Sequence, residues 1–313
     1  MKSWQPHHRL ILFLLLALIL ACVISPIQSL GADWFMTQWP ALMPKRIPFH
    51  RTFNRAFMIA GVILFFLFRR QLFTHELKGL FDGGRAAASR DLATGLALSL
   101  ASMVLIMTAM TTAEVHTPAF DFSAAQALAR AASSAATGMF AGVFEEIFFR
   151  GILFIGLRRQ AYDLRAYLLA NLFYSALHFV KPGKAYFLDT LDLGAGFRHL
   201  AHTFTPFLDP PSMLPGFIGL LLVGAVLSLA VERTGKLYLA IGLHAGWVFS
   251  LKMIGLFGNI DRSQLGWLFG TSHPKLVSGV ATWVAILLTG AAVHYLTRNR
   301  AVQSIDRPLA ITA

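Results

Sequence analysis

Charge and thiol are what this chain has least of. Asp, Glu, Lys and Arg together make up 13% of its 313 residues, whereas an ordinary soluble domain carries about 25%. So low a share excludes a fully hydrated surface. A single cysteine, Cys22, excludes an intramolecular disulfide and a four-thiolate zinc site. The HExxH pattern is absent, which removes the commonest signature of a zinc peptidase. No hydrophilic linker, internal repeat or low-complexity tract separates off a soluble domain. Nor are there two similar halves with paired broken helices, the mark of many ion-coupled transporters.

Apolar residues are abundant, at 56% of the chain. Runs near the length that crosses a bilayer fall at 10–31, 53–68, 92–113, 132–157, 164–180, 214–231, 237–256 and 277–296. An open strand edge in lipid would leave backbone groups without partners, so these runs are expected to be helices. The expected fold class is all-α, a polytopic membrane helix bundle with about eight transmembrane helices, and 1–313 reads as a single integral membrane domain. The first run follows Lys2 and Arg9 and contains Ile-Leu-Ala-Cys at 19–22, a faint match to a lipoprotein cleavage site. Leu20 is bulky where that site prefers a small residue, and the run exceeds a normal signal core, so it reads as a retained span.

The formal net charge is +12, but the basic residues sit in small groups between apolar runs, such as Arg69 with Arg70, Arg158 with Arg159, and Arg298 with Arg300. That is how helix ends are anchored against anionic lipid, so the expected partner is membrane lipid and no nucleic acid. Lys and Arg are the more numerous on the side that also holds the termini, which favours cytoplasmic termini; Lys45, Arg46 and Arg51 argue the other way. The longest connection, 181–213, spaces Phe187, Leu188, Leu191, Phe197, Leu200 and Phe204 much as an interfacial helix would, or as a loop packed on the bundle. Its His199 and His202 lie three apart but lack an evident third ligand.

Against this background the segment Gly-Val-Phe-Glu-Glu-Ile-Phe-Phe-Arg-Gly at 142–151 stands out. A charge at the centre of a membrane helix costs roughly 2.5–3.5 kcal/mol on insertion scales. Glu146 and Arg150, four apart, share one helix face in the favourable order and can pair. Glu145 points about 100° away and needs another partner. Two further ionisable residues lie in apolar runs. Asn171, Tyr174 and His178 follow helical spacing along one face, and His244 sits among Gly242, Ala245 and Gly246, small residues that admit a neighbouring helix. Each of these residues also has a plain structural reading as a satisfied interior group.

Together they support more. A carboxylate and an imidazole that hold one water form a general base, and a second imidazole can donate to the oxyanion formed when that water attacks a carbonyl. Glu145, His178 and His244 could alternatively hold zinc as a His₂Glu set. Metal-free chemistry, with no cofactor, is the favoured of the two.

The pattern resembles the CPBP intramembrane endopeptidases, which include the type II CAAX prenyl proteases and bacterial relatives once called Abi proteins. The residues that carry the resemblance are Glu-Glu-Ile-Phe-Phe-Arg at 145–150, Tyr-Ser-Ala-Leu-His at 174–178 and His-Ala-Gly-Trp-Val at 244–248, within a core spanning roughly 130–256. The resemblance implies that Glu145 with His178 activates the water, that His244 binds the oxyanion, and that Glu146 and Arg150 support them. Val248 stands where the family often has Asn, and it has no donor to offer; Asn171 is the candidate substitute. The implied activity is endoproteolysis of a membrane-associated protein, lipidated and CAAX-like or otherwise, in a bacterial inner membrane. Two rival readings remain, a noncatalytic immunity or scaffold member of the same family and an ion-coupled membrane transporter.

Overall fold

The computed structural model describes residues 6–41, 45–72, 75–158, 163–180, 186–271 and 276–300. Its helices in chain order are α1 (Pro6–Gln38), α2 (Phe49–Leu72), α3 (His75–Gly79), α4 (Arg85–Thr112), α5 (Ala124–Glu146), α6 (Ile155–Arg158), α7 (Asp163–Leu177), α8 (Ala195–Thr203), α9 (Pro210–Thr234), α10 (Tyr238–Met253), α11 (Gly266–Phe269) and α12 (Val280–Thr297). Between α5 and α6 the helix continues as a π segment, Ile147–Phe154. The only strands among the described residues are β1 (His116–Pro118) and β2 (Gly258–Ile260), a short antiparallel ribbon.

Six of these helices are long and apolar enough to cross a membrane: Ile11–Gln38, Phe49–Phe68, Arg85–Thr112, Pro210–Thr234, Tyr238–Leu256 and Val280–Thr297. The protein is thus an integral membrane helix bundle. The other two expected spans, 132–157 and 164–180, are helical but differ from the rest. The first is α-helix, then π, then α again, and the second is the 15-residue α7, which stops at Leu177. These are the elements that carry the charged motif and lead to His178.

The chain, which reads in sequence as one membrane domain, divides into two compact units: Met1–Thr74 with Leu177–Pro210, and His75–Ala176 with Pro211–Ala313. In the first unit, α1 and α2 pack through small residues, with Ala21 and Cys22 of α1 against Phe49, Phe53 and Ala56 of α2. Such contacts let helix backbones approach where lipid offers no hydrophobic drive. Helix α8 is the amphipathic element expected in 181–213. It buries Ala195, Gly196, His199 and Thr203 and exposes Phe197. A Cβ at position 196 would collide with the Cys22 carbonyl, so this approach requires glycine. Arg46 closes the unit, its Nε donating to Asp33 Oδ2 at 2.8 Å and its Nη1 to Asp189 Oδ1 at 2.8 Å.

His199 is a core residue. Its ring lies 5.4 Å from Phe49, 4.9 Å from Phe53 and 5.9 Å from Tyr186, centroid to centroid, while His202 is exposed. The pair three residues apart therefore faces in different directions.

The second unit is organised around α10, which lies between α4 and α5. Helix α5 starts with a capping box: Gln126 N donates to Ser123 Oγ at 3.2 Å and Ser123 N donates to Gln126 Oε1 at 2.8 Å. Gly138, Gly142 and Glu146 recur every four residues and so form one face. That face meets α10, because a Cβ on Gly142 would fall 3.0 Å from the Ile241 carbonyl and 3.2 Å from Ala245 N. At the far end, Arg300 binds Asp91 at the start of α4 through both carboxylate oxygens, at 2.8 and 2.7 Å.

Candidate functional site

The glycine face of α5 determines what Glu146 can reach. It brings the carboxylate to α10 beside His244, which lies between Ile241 and Ala245 in that helix. Glu146 Oε1 accepts from Arg150 Nη1 at 2.9 Å and lies 2.7 Å from His244 Nδ1. All three side chains are buried, Glu146 at 0%, Arg150 at 1% and His244 at 5% exposure. A carboxylate only accepts, so Nδ1 carries its proton. The ring is thereby turned so that Nε2 faces Glu145, whose Oε2 is 3.7 Å away.

Glu145 and Glu146 thus sit on opposite nitrogens of one imidazole. Adjacent helical residues diverge by about 100°, and His244 spans that divergence. Their surroundings differ as well: Glu146 is fully enclosed, whereas the Glu145 side chain is 35% exposed. The Glu145 side chain is thus partly open and that of Glu146 is closed off, although Glu145 Oε2 is itself buried.

Arg150 is held on three sides. Besides Glu146, its Nη2 donates to the Gly224 carbonyl of α9 at 3.1 Å, and its guanidinium stands 4.5 Å from the centre of the Tyr174 ring, a cation–π contact. Phe149 meets Tyr174 edge to face at 4.9 Å. The motif arginine lies inside the π segment, which adds one residue per turn relative to an α-helix and so shifts the side chains that follow. Insertions of this kind recur at functional sites. A pair this dry stabilises little relative to an apolar replacement, yet removing either member alone is expensive.

Asn171 and Tyr174 stand on one face, as their spacing predicts, and both are buried at 2% exposure. Asn171 Nδ2 donates to the Tyr167 carbonyl at 2.8 Å, and its Oδ1 accepts from Ser228 Oγ at 3.1 Å. Gly224 makes room for it, since a Cβ there would fall 2.7 Å from Asn171 Oδ1. Asn171 therefore joins α7 to α9. His178 lies just past the end of α7, in the turn that follows, and is half-buried; it belongs to the first unit, in the stretch that begins at Leu177. Val248, one turn beyond His244, is half-buried. Among the described residues no three His, Cys, Asp or Glu side chains are placed to share a metal ion.

Sequence reasoning missed the bond between Glu146 and His244. One signal was present: a carboxylate has about four acceptor positions, more than one arginine contact fills. The Gly224 carbonyl that accepts from Arg150 left no sequence signal.

The fold and these side chains define a class, a polytopic helical membrane protein with a buried carboxylate, guanidinium and imidazole joined across neighbouring helices. Residues 127–250 match the family model Type II CAAX prenyl endopeptidase Rce1-like. The matched segment, less than half of the chain, is similar to the Rce1-like type II CAAX prenyl endopeptidases, a likeness consistent with the CPBP family. Glu145, Arg150 and His244 all fall inside the matched residues. No curated protein and no solved structure matches the chain.

Proposed function

We propose that the protein is an intramembrane endopeptidase that hydrolyses a peptide bond of a membrane-associated protein with a water activated by Glu145 and His178. The observation that carries this reading is the 3.7 Å approach of Glu145 Oε2 to His244 Nε2. Two groups at that separation are too far apart to bond directly, yet both can hold one solvent molecule at about 2.8 Å.

In this mechanism Glu145, assisted by His178, takes a proton from the water as its oxygen attacks the scissile carbonyl carbon. The carbonyl π electrons move to oxygen, and His244 Nε2–H donates to the resulting oxyanion. Nε2 carries a proton for this step when the ring is an imidazolium, with both nitrogens protonated. Collapse of the tetrahedral centre breaks the C–N bond, and Glu145 returns its proton to the departing amine. Glu146 and Arg150 position His244 and do not touch the substrate. Asn171, with its amide shared between Tyr167 and Ser228, serves to seat α7 rather than to replace the missing Asn at 248.

The substrate proposed is a lipidated, CAAX-like or transmembrane protein segment, reached from the lipid of a bacterial inner membrane, with both termini of the enzyme cytoplasmic. Zinc held by Glu145, His178 and His244 is the alternative chemistry. The test is cleavage of a panel of lipidated and transmembrane peptides by the wild type, Glu145→Ala and His178→Ala in detergent, with and without a chelator. Cleavage that is lost in both variants and kept in chelator supports the proposal. Loss in chelator with recovery on adding zinc supports the metal. Folded protein that cuts nothing favours the immunity or scaffold reading, and proton-coupled flux in proteoliposomes favours the transporter.

A further inference from the structure

One buried ionisable group of the first unit has no part in the chemistry above. His199 of α8 is 1% exposed, and neither ring nitrogen has a hydrogen-bond partner among the described residues. A neutral imidazole already leaves one N–H unpaired there. A protonated ring would leave two, and would set a full charge among Phe49, Phe53 and Tyr186. Burying an unpaired charge costs far more than burying a neutral polar group.

The charged groups on the neighbouring elements do not offset that cost. Asp33 of α1 and Asp189, ahead of α8, bind Arg46, and Asp192 binds Arg198 of α8 itself. Arg51 and Arg55 of α2 are exposed cations. Burial first, and then His50 of α2 and His202 of α8, disfavour a proton on His199. The docking of α8 has little else in reserve. The helix has nine residues, too few to stand alone in water. Its side-chain hydrogen bonds are local, from Arg198 to Asp192 and from Thr203 to the Leu200 carbonyl. What seats it is the buried face of Ala195, Gly196, His199 and Thr203, with Gly196 against the Cys22 carbonyl.

We propose that α8 is an acid-released helix: when His199 takes up a proton, α8 leaves its seat on α1 and α2 while the second unit stays folded. Because the folded state disfavours the proton, docking is complete above about pH 6.5 and weakens as the pH falls below it. This release does not depend on the hydrolytic reading and is measured without any cleavage, so either can fail alone.

The sole cysteine is a built-in reporter, since Cys22 is 0% exposed and lies under Gly196. The test follows its reaction with 4,4′-dithiodipyridine, a thiol reagent that works in mild acid, on the full chain in detergent from about pH 7.5 to about pH 5.5. Each rate is divided by that of the chain unfolded in denaturant at the same pH. The proposal expects this ratio to rise severalfold, up to about tenfold, the limit set by one histidine over that range. His199→Phe should hold the ratio flat, and His199→Leu serves if the first variant does not fold. Ser134→Cys in a Cys22→Ser background reports on the second unit, because Ser134 is buried in α5; it should stay protected throughout. A flat ratio in the wild type overturns the proposal, as does an equal rise in the His199 variants. So does a parallel rise at position 134, which would mean general unfolding. A gain in protection with acid would mean that the three rings hold the imidazolium by cation–π contact, and overturns it too.

Discussion

Two histidines are buried to nearly the same degree in this protein, and their ring nitrogens have opposite fates. His244, in the second unit, has a carboxylate at each nitrogen. His199, in the first, is ringed by Phe49, Phe53 and Tyr186, and neither nitrogen has a hydrogen-bond partner among the described residues. Burial alone does not distinguish a reactive imidazole from a packing one; the partners of its nitrogens do. His199 is disfavoured as a cation, its pKa lowered from 6.5 first by burial and then by the neighbouring His50 and His202. His244 is oriented, and what orients it is a carboxylate that is itself fixed by Arg150.

The largest effect expected on the His244 side is that of Glu145→Gln. The change is nearly isosteric and removes the proposed base, so turnover should fall by about 10²–10⁴-fold while the thermal midpoint of the purified protein stays unchanged. Arg150→Met should act mainly on stability. It leaves the buried Glu146 carboxylate with His244 as its one remaining contact named above, and detergent-solubilised protein should lose up to about 3–5 kcal/mol in an unfolding titration.

Glu146→Gln should be intermediate. It weakens the hold on Nδ1 by about 1.5–3 kcal/mol, the worth of a hydrogen bond to a charged group. That corresponds to a decrease of about ten- to a hundredfold in kcat. KM should be unchanged, because the residue touches no substrate. Yield should fall as well, because the change removes one member of the buried pair with Arg150; a purely structural Glu146 would leave kcat per folded molecule intact.

The smallest effect is expected at His199. His199→Phe should leave turnover unchanged and alter only acid sensitivity. A histidine whose folded pKa lies below its unfolded value contributes stability that is complete above about pH 6.5 and is lost as the pH falls toward the folded value. The wild type should therefore melt at lower temperature as the pH drops below that point, and His199→Phe should flatten this part of the profile. A drop in turnover in His199→Phe would break the contrast between the two residues.

The fold class was legible because hydropathy and length suffice for it: six of the expected runs fall in membrane-length helices, with limits that differ from the expected ones by up to seven residues. The two elements near the site were less legible for a physical reason. The run at 132–157 contains a π segment, which depends on i→i+5 bonding that no side-chain pattern signals, and α7 stops one residue short of His178. The grouping of α8 with α1 and α2 was likewise hidden, since it rests on contacts between residues far apart, such as Gly196 with Cys22. At the site, the pairing of Glu146 with Arg150 could be read from their spacing. The link from Glu146 to His244, 98 residues away in sequence, could not.

The most direct test follows the oxygen atom. Wild type and Glu145→Gln, matched in thermal midpoint, would each be given a lipidated or transmembrane peptide in heavy-oxygen water, and the products weighed by mass spectrometry. The account predicts one heavy oxygen in the new carboxyl terminus with the wild type and no cleavage above background with the variant. Product formed by Glu145→Gln at a rate close to the wild type would contradict it.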